Sequence, residues 1–367
     1  MLGIGVLGLG SVFLGPYRRA ILQLEQAAKA RLIAAFDIDR EKTKAVAAMH
    51  PSIAATATAA ALIGRDDVDV VLVLTSMNEH AELAGAALRA GKHVLVEKPM
   101  ATRLDAAQAL LEISRSAKGL LVCAPHIVLS PTYRAMHADV MSGRIGRVLL
   151  ARARYGWSGP WWGQWFYRPG GGALFDLGVY NLTSLCGFMG PVRRVCAMVG
   201  TAIPKRLSEG AEIEVQADDN AQVLLDFGES RFACITTGFT MQKYRSPAIE
   251  LYGSEGVLQM QGDDWAPQGF ERWTRERGTW EILEDSEPQW PWTAGLRHLV
   301  ECVAAGTRPL NRPEHALHCL EVMLAAQTSA REGRYVQIES GFPALDFSHM
   351  PESAADSQRR RHDPRST

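Results

Sequence analysis

The stretch His93-Val94-Leu95-Val96-Glu97-Lys98-Pro99 decides how this chain folds. Its apolar run is typical of a buried strand, and Pro99 ends the strand because proline cannot donate to a sheet ladder. The Glu-Lys pair then lies at the carboxyl end of a strand, which is where open α/β sheets bind their ligands. A solvated pair at a strand end is equally compatible with three residues alone, so the flanking sequence must decide.

A glycine-containing turn near the start of the chain supports a ligand site. Residues 3–7 are strand-like and lead into Gly8-Leu9-Gly10-Ser11-Val12-Phe13 and a helix. Gly8 permits a tight turn, and Gly10 lets the backbone approach a pyrophosphate at the helix N-terminus. Phe13 replaces the third glycine of the usual pattern, so a plain strand-to-helix turn is the alternative. The candidate cofactor-binding residues here are Gly8, Gly10, Ser11 and Val12.

An acidic residue follows the next predicted strand, residues 31–36. Asp37 is placed to accept hydrogen bonds from ribose hydroxyls, and its charge disfavours a 2′-phosphate, which favours NAD over NADP. Arg40 partly offsets that repulsion, so NADP is possible. The alternative role for Asp37 is to cap the helix predicted over residues 40–49.

Strands continue to alternate with helices up to residue 124, which predicts a parallel, doubly wound sheet. Polar residues follow the strand at residues 68–74, and they are further cofactor-binding candidates together with the Glu-Lys pair. These candidates are Thr75, Asn78, His80, Glu97 and Lys98.

Length and composition limit the class of protein. The 367 residues suggest two domains, and the net charge of −1 argues against nucleic acid as the main partner. Six scattered cysteines without a C-x-x-C pair suggest a reducing compartment and neither a disulfide framework nor a metal site. We find no signal peptide and no apolar run of the ~18 residues that span a membrane. We therefore expect a cytoplasmic protein.

The order of these motifs resembles the Gfo/Idh/MocA family of oxidoreductases. The two most specific matches are the stretch from Gly91 to Pro99 and Gly170-Gly171-Gly172-Ala173-Leu174-Phe175-Asp176-Leu177-Gly178-Val179-Tyr180, and the likeness extends over roughly residues 2–340. It implies an α/β protein with a Rossmann NAD(P)-binding domain at residues 1–124. An α/β domain for substrate binding and oligomerisation, built on a large, mostly antiparallel open sheet, would follow at residues 125–345. We expect residues 346–367 to be a disordered tail.

The resemblance also implies three catalytic residues, Lys98, Asp176 and Tyr180. Many members of the family have histidine where this chain has Tyr180; the tyrosine form is similar to glucose–fructose oxidoreductases and dimeric dihydrodiol dehydrogenases. From the residues alone, Asp176 and Tyr180 are four apart on a predicted helix and share one face, which suits proton transfer. The alternative is a core helix in which Tyr180 packs against the core and the Asp176 carboxylate interacts favourably with the helix dipole.

A tryptophan-rich loop lies just before the glycine run. Trp161 and Trp162 are predicted to form one wall of a substrate pocket, because aromatic faces suit the C–H faces of a sugar ring. The alternative is a loop folded onto the core or a subunit interface. Arg168 and His126 are further substrate-binding candidates, although a surface position is the alternative for Arg168.

Strand-like runs dominate from about residue 148 onward, and their alternation suggests antiparallel strands with one polar face. A broad open sheet leaves a face to cover, so we expect a homo-oligomer, a dimer or tetramer. Two helices, near residues 293–305 and 313–332, close the second domain. His315 and His318 on the last helix are interpreted as surface residues rather than metal ligands.

These observations predict an NAD(P)-dependent oxidoreductase that moves a hydride between nicotinamide and a secondary alcohol or ketone of a sugar, cyclitol or glycoside. Two alternatives stay open. One is an NAD-dependent, lyase-like enzyme that transiently oxidises a glycoside, and the other is a non-catalytic NAD(P)-sensing regulator on the same fold.

Overall fold

The structure, a computed structural model, describes residues 1–50, 52–245 and 247–348. Its contacts divide the chain into two compact units, Met1–His126 with Thr293–Leu320, and Ile127–Trp292 with the residues from Glu321 onward. The segment Thr293–Leu320, which we expected in the second domain, therefore belongs to the first unit. Most of the predicted tail, residues 349–367, lies outside the described residues.

A six-stranded parallel sheet with the order β3-β2-β1-β4-β5-β6 forms the centre of the first unit. Strand β4 is buried along its whole length because helices cover both faces of a parallel sheet. The strands are β1 (Leu2–Leu7), β2 (Ala30–Phe36), β3 (Ala54–Ala55), β4 (Val70–Val73), β5 (His93–Val96) and β6 (Leu121–Cys123).

The helices of the first unit lie between these strands, and the predicted alternation is confirmed. The first helix opens with a π-helical turn at Phe13–Tyr17 before it becomes α-helical. The α-helices are α1 (Arg18–Gln26), α2 (Arg40–Met49), α3 (Ala59–Ile63), α4 (His80–Arg89) and α5 (Leu104–Ser116), with α8 (Ala294–Ala305) from the returning segment.

Helix α8 packs against α1 and β5, and this contact explains why the returning segment joins the first unit. Lys29 pairs with Glu301 of α8 at 2.9 Å. Gly295 of α8 lies against the ring of His126, since a Cβ at Gly295 would come within 2.2 Å of that ring. The chain thus uses distant residues to finish its first unit.

The second unit is built on a nine-stranded sheet with the order β16-β15-β14-β13-β7-β12-β11-β8-β17. All neighbouring pairs are antiparallel except β7 with β12, which is parallel, so the predicted mostly antiparallel sheet is confirmed. Its strands are β7 (Val148–Gly156), β8 (Arg194–Gly200), β11 (Asn220–Asp226), β12 (Phe232–Gly238), β13 (Ile249–Gly253), β14 (Gly256–Asp263), β15 (Ala266–Thr274), β16 (Trp280–Leu283) and β17 (Val336–Gln337).

A separate hairpin and three helices complete the second unit's regular structure. The hairpin pairs β9 (Lys205–Ser208) with β10 (Ala211–Glu214). The helices are α6 (Pro131–Met141), α7 (Val179–Met189) and α9 (Pro313–Glu332), which begins in the returning segment. His315 and His318 of α9 are buried, so the interpretation of both as surface residues is wrong.

Residues alternate between buried and exposed along β11, which shows that one face of the sheet packs on the core while the other stays open. Within the described ranges, no helix combines the length and the apolar character needed to cross a membrane.

Candidate functional site

The first two glycines of the glycine turn, Gly8 and Gly10, differ in the space around them. Gly8 has a φ of +94°, and a Cβ there would lie 2.6 Å from the carbonyl of Leu74 at the end of β4. A Cβ on Gly10 would meet nothing within 4 Å. The fold therefore requires glycine at the first position, whereas the second leaves open space in front of the helix.

The first helix begins directly at that open space. The N–H of Leu14 donates to the carbonyl oxygen of Gly10 at 3.0 Å, so the amides of Ser11 and Val12 belong to the first turn and lack an intrahelical partner. Ser11 is exposed. Amides at a helix start attract an anion, which fits the pyrophosphate of a dinucleotide.

Asp37 turns its carboxylate toward the glycine turn. Its Oδ2 accepts from the Leu9 N–H at 2.7 Å, and its Oδ1 accepts from the Asp39 N–H at 2.9 Å. Asp39, and not Asp37, caps helix α2 by accepting from the Glu41 N–H at 3.0 Å. The capping role considered for Asp37 is therefore wrong.

His80 supports two strand ends with its ring. Its Nδ1 lies 2.8 Å from the Pro99 carbonyl oxygen, and its Nε2 lies 3.1 Å from that of Thr75. Burial lowers the pKa of His80, although the two carbonyl oxygens act in the opposite direction. Both ring nitrogens thus have protein partners. The nearby Asn78 is exposed, and its Oδ1 accepts from the Thr102 hydroxyl at 3.0 Å.

Glu97 is buried, and its carboxylate faces into the first unit. Oε1 accepts from the Tyr17 hydroxyl at 2.7 Å, and Oε2 accepts from the Lys98 N–H at 3.1 Å. Tyr17 was missed by the sequence analysis. The i, i+4 spacing of Phe13, Tyr17 and Ile21 marks a buried helix face, and a buried phenol needs a hydrogen-bond partner.

His126 is buried next to the Tyr17–Glu97 hydrogen bond and does not lie at an accessible surface. Its Nε2 is 3.4 Å from the Tyr17 hydroxyl oxygen, and its Nδ1 has no hydrogen-bond partner among the described residues. Burial, and secondly the nearby His298, lower the pKa of His126 to about 3. The ring is therefore a neutral, buried part of the first unit.

The glycine run of the second unit is shaped by a carboxylate that the sequence analysis also missed. Gly172 has a φ of +103°, and a Cβ there would lie 2.5 Å from the carboxylate of Asp218. That carboxylate accepts from the Leu174 N–H at 2.9 Å, and burial raises its pKa. Asp218 thus fixes the start of the helical segment that carries Asp176.

The helix predicted from Ala173 onward begins as a π-helical turn, Leu174–Gly178, and continues as α7. Asp176 lies in the π-helical turn and Tyr180 in the first turn of α7. Burial, then Tyr180 and Asp176, raise the pKa of the Tyr155 phenol, which lies one residue before the end of β7. The rings of Tyr155 and Tyr180 meet edge to face at 5.7 Å.

Tyr155 is therefore an additional candidate for the site. The sequence analysis missed it, because Tyr155 lies within a strand-like run whose alternation gives no sign of a functional role. With Asp176 and Tyr180 it places two phenols and a carboxylate beside the glycine run. Such a group can exchange a proton with a substrate hydroxyl.

Asp264 holds helix α7 in place through two hydrogen bonds. This buried carboxylate accepts from Ser184 Oγ at 2.6 Å and from Asn181 Nδ2 at 2.9 Å. Burial raises the pKa of Asp264 to about 6, against the effect of the two donors. Because Asn181 follows Tyr180 directly, the anchor fixes the helix turn that presents the phenol.

The tryptophan loop is partly packed on the core and partly exposed. Its Phe166 and Tyr167 pack into a core cluster with Leu177, the residue after Asp176. Trp161 and Trp162, in contrast, stay 69% and 43% exposed. The loop is thus packed at its base and displays indole rings at its outer part.

A buried ion pair holds this loop in place. Arg206 of the β9–β10 hairpin pairs with Asp219 at 3.0 Å and donates to the Ser158 carbonyl oxygen at 2.6 Å. Its guanidinium also lies over the Tyr167 ring at 5.4 Å. Arg168, by comparison, is exposed and donates to Gln164 at 3.0 Å, which agrees with a surface position.

Two family models match the chain. Residues 2–124 match the "oxidoreductase family, NAD-binding Rossmann fold", and residues 133–259 match the "GFO/IDH/MocA C-terminal domain". The predicted family and the predicted NAD-binding domain are therefore confirmed.

Named relatives and solved structures agree with these matches. A 1,5-anhydro-D-fructose reductase of Ensifer adhaerens is 32% identical over 54% of this chain and 58% of its own length. A dTDP-3,4-didehydro-2,6-dideoxy-alpha-D-glucose 3-reductase of Saccharopolyspora spinosa is 31% identical over 70% of this chain and 73% of its own length. A levoglucosan dehydrogenase, solved with NADH and levoglucosan, shares the fold with a TM-score of 0.81 at 19% identity, covering 92% of this chain and 99% of that one. This chain belongs to the Gfo/Idh/MocA family of NAD-binding oxidoreductases.

Proposed function

We propose that the protein oxidises a secondary alcohol of a sugar, cyclitol or glycoside, or reduces the corresponding ketone, with NAD as hydride carrier. The gathering of Asp176, Tyr180 and Tyr155 beside a tight glycine run carries this proposal, because a sensor of NAD would need no such proton-exchanging group. Two relatives whose names describe reductases of sugar derivatives support the substrate class.

The first unit would hold the dinucleotide with groups at its strand ends. The amides of Ser11 and Val12 would bind the pyrophosphate in the space that Gly10 leaves open, and Asp37 would accept from a ribose. Thr75 and Asn78 would line the same edge. His80 and Glu97 would act by fixing the strand ends, since their side chains already have protein partners.

NAD is favoured over NADP by the Asp37 carboxylate, which would repel a 2′-phosphate. Arg40 is exposed three residues further on, so weaker use of NADP is compatible with the site.

Lys98, Asp176 and Tyr180 would carry the chemistry. When bound, nicotinamide supplies the hydride acceptor or donor. Lys98 would act as a fixed cation that polarises the reacting oxygen, and Tyr180 would accept the hydroxyl proton in oxidation or return it in reduction. Asp176 would hold the hydroxyl and the phenol in line. In the alternative assignment, Lys98 itself transfers the proton and Tyr180 only binds.

Further residues would shape the substrate pocket. We propose that Trp161 and Trp162 offer ring faces to the substrate and that Arg168 contacts the substrate at the edge of the pocket. His126 is buried and would only support the residues that line the pocket. We also propose a cytoplasmic homo-oligomer, a dimer or tetramer. Its support is that none of the six cysteines, all of which the structure describes, forms a disulfide, together with the apolar side chains on the open face of the second sheet.

The test is turnover of a panel of sugars and cyclitols, followed as NADH absorbance. Lys98→Met and Tyr180→Phe should each lower kcat at least about a hundredfold, the usual scale of acid–base loss, while NAD still binds. Lys118→Met, a change at an exposed lysine, serves as the control and should keep wild-type turnover.

The panel also separates the alternatives. Stoichiometric NADH supports the dehydrogenase, whereas product without net NADH would indicate the lyase-like enzyme. NAD binding without turnover of any substrate would indicate a regulator, and near wild-type kcat in both site variants would refute the assigned residues.

A further inference from the structure

We propose that Tyr17 is a positioning residue for Lys98 and that it acts through the carboxylate of Glu97. The inference deepens the proposed function and rests on it, because it takes Lys98 as the cation of the site. It concerns a hydrogen bond between residues that lie 80 positions apart in the chain.

Tyr17 ends the π-helical turn Phe13–Tyr17, which follows the glycine turn directly. Its side chain is fully buried, and its hydroxyl donates to Glu97 Oε1 at 2.7 Å. A bond between a buried phenol and a carboxylate is among the stronger hydrogen bonds in proteins. The same turn that faces the open space at Gly10 is thus tied to the end of β5.

Glu97 is held at three points. Its N–H donates to the Val73 carbonyl oxygen at 3.0 Å, Oε1 accepts from Tyr17, and Oε2 accepts from the Lys98 N–H at 3.1 Å. Glu97 directly follows Val96, the last residue of β5. These three bonds therefore hold the backbone on the amino side of Lys98.

The residue after Lys98 is held as well. The Pro99 carbonyl oxygen lies 2.8 Å from Nδ1 of the buried His80. With Glu97 and Pro99 both fixed, the direction in which Lys98 leaves the backbone is fixed too.

The imidazole next to Tyr17 does not supply a cation to Glu97. His126 is the other group near the phenol, at 3.4 Å, and burial, then His298, lower the pKa of its ring to about 3. The neutral ring leaves the phenol as the donor to Glu97. Loss of the phenol oxygen would leave Oε1 without this donor, so the carboxylate could rotate and would hold the Lys98 N–H less firmly.

The direct test is Tyr17→Phe, which keeps the ring and removes the hydroxyl. We expect kcat to fall about tenfold or more, because small misplacements of a catalytic group cost up to roughly a hundredfold. The dissociation constant of NAD, measured by quenching of tryptophan fluorescence, should stay within about twofold.

A double-mutant cycle tests whether Tyr17 acts through Glu97. We expect Glu97→Gln to lower kcat, and we expect Tyr17→Phe to add little to it, since residues that share one interaction are not additive. Tyr252→Phe is the matched control, because it removes a phenol-to-carboxylate bond to Glu250 on β13 of the second sheet and should leave kcat unchanged.

A second readout needs no substrate. The rate at which an acylating reagent labels Lys98, followed by peptide mass spectrometry with exposed Lys118 as internal reference, should change severalfold in Tyr17→Phe. The proton affinity of an amine, and hence its rate of acylation, depends on the groups around it.

The outcomes separate the two proposals. Absence of turnover in the wild-type protein would overturn the proposed function, while the labelling of Lys98 still tests this inference. Wild-type kcat and wild-type labelling in Tyr17→Phe, or losses that multiply in the double variant, would overturn the role of Tyr17.

Discussion

Two glycines, two positions apart in the first turn, differ in what a methyl group would meet. At Gly8 the methyl would overlap the backbone of Leu74, in a conformation that other residues rarely adopt. At Gly10 it would enter open space. Folding therefore constrains the first glycine, whereas packing places no such limit on the second.

This difference predicts that Gly10→Ala keeps the stability of the protein but weakens NAD binding at least about tenfold, or 1.4 kcal/mol, because the methyl occupies the place of the pyrophosphate. Thermal unfolding and calorimetric titration with NAD measure the two effects.

Gly15→Ala is the matched control. It lies in the following helical turn, its methyl would also meet nothing within 4 Å, and it should change neither quantity. Equal NAD affinity in the two variants would show that the space at Gly10 serves another purpose.

Residues at this scale were only partly predictable. The sequence points to the Glu97-Lys98 pair and Asp37 as candidates because polar residues directly follow apolar strands. Tyr17 and Asp218 were not, since their partners lie far away in the chain and only packing brings them together. Capping of helix α2 was considered for Asp37, whereas Asp39 provides the cap; both precede the same helix and differ only in where their carboxylates point.

The contribution of helix α6 to the stability of the protein depends on pH through His137. His137 lies among aromatic rings, 4.6 Å from the Phe347 centroid and 6.4 Å from that of Phe188, and burial lowers its pKa to about 4. The unfolded chain takes up this proton near pH 6.5, before the folded protein does. Stability is therefore lost as the pH falls from about 6.5 toward 4.

His137→Phe should remove this loss while the ring keeps its neighbours. Relative to wild type, we expect a gain in the free energy of unfolding of about 2 kcal/mol at pH 5 and almost none from this titration at pH 7.5. Denaturant unfolding at the two pH values measures both. An equal change at pH 5 and pH 7.5 would assign the effect to packing rather than to the proton.

Elements were predicted best where the hydrophobic period is long and regular. The parallel alternation up to β6 and most strands of the second sheet follow the pattern of apolar residues. The π-helical turns at Phe13–Tyr17 and Leu174–Gly178 could not be predicted, because their composition does not differ from that of an α-helix. The parallel pairing of β7 with β12 depends on long-range topology.

At the scale of the whole molecule, the open face of the second sheet carries exposed apolar side chains. Met198 of β8 is 79% exposed and Leu224 of β11 is 55% exposed, and Leu150 and Phe232 on the neighbouring strands share that face. Apolar surface of this kind is commonly covered by a second subunit.

Leu224→Asp should therefore convert the proposed oligomer into a species of lower mass, measured by size-exclusion chromatography with light scattering. The charge would be buried without a partner at the interface. Leu207→Asp is the control, since Leu207 is 70% exposed but belongs to the β9–β10 hairpin. An unchanged mass for Leu224→Asp would place the interface elsewhere.

The returning segment Thr293–Leu320 has a consequence for how the protein is made. A ribosome completes every strand from β7 to β16 before it synthesises α8. The first unit therefore cannot be complete until nearly all of the second unit has been synthesised. During that time the ring of His126 cannot pack against Gly295. A stop codon in the later part of the gene would therefore damage the dinucleotide-binding unit, although that unit starts at the first codon.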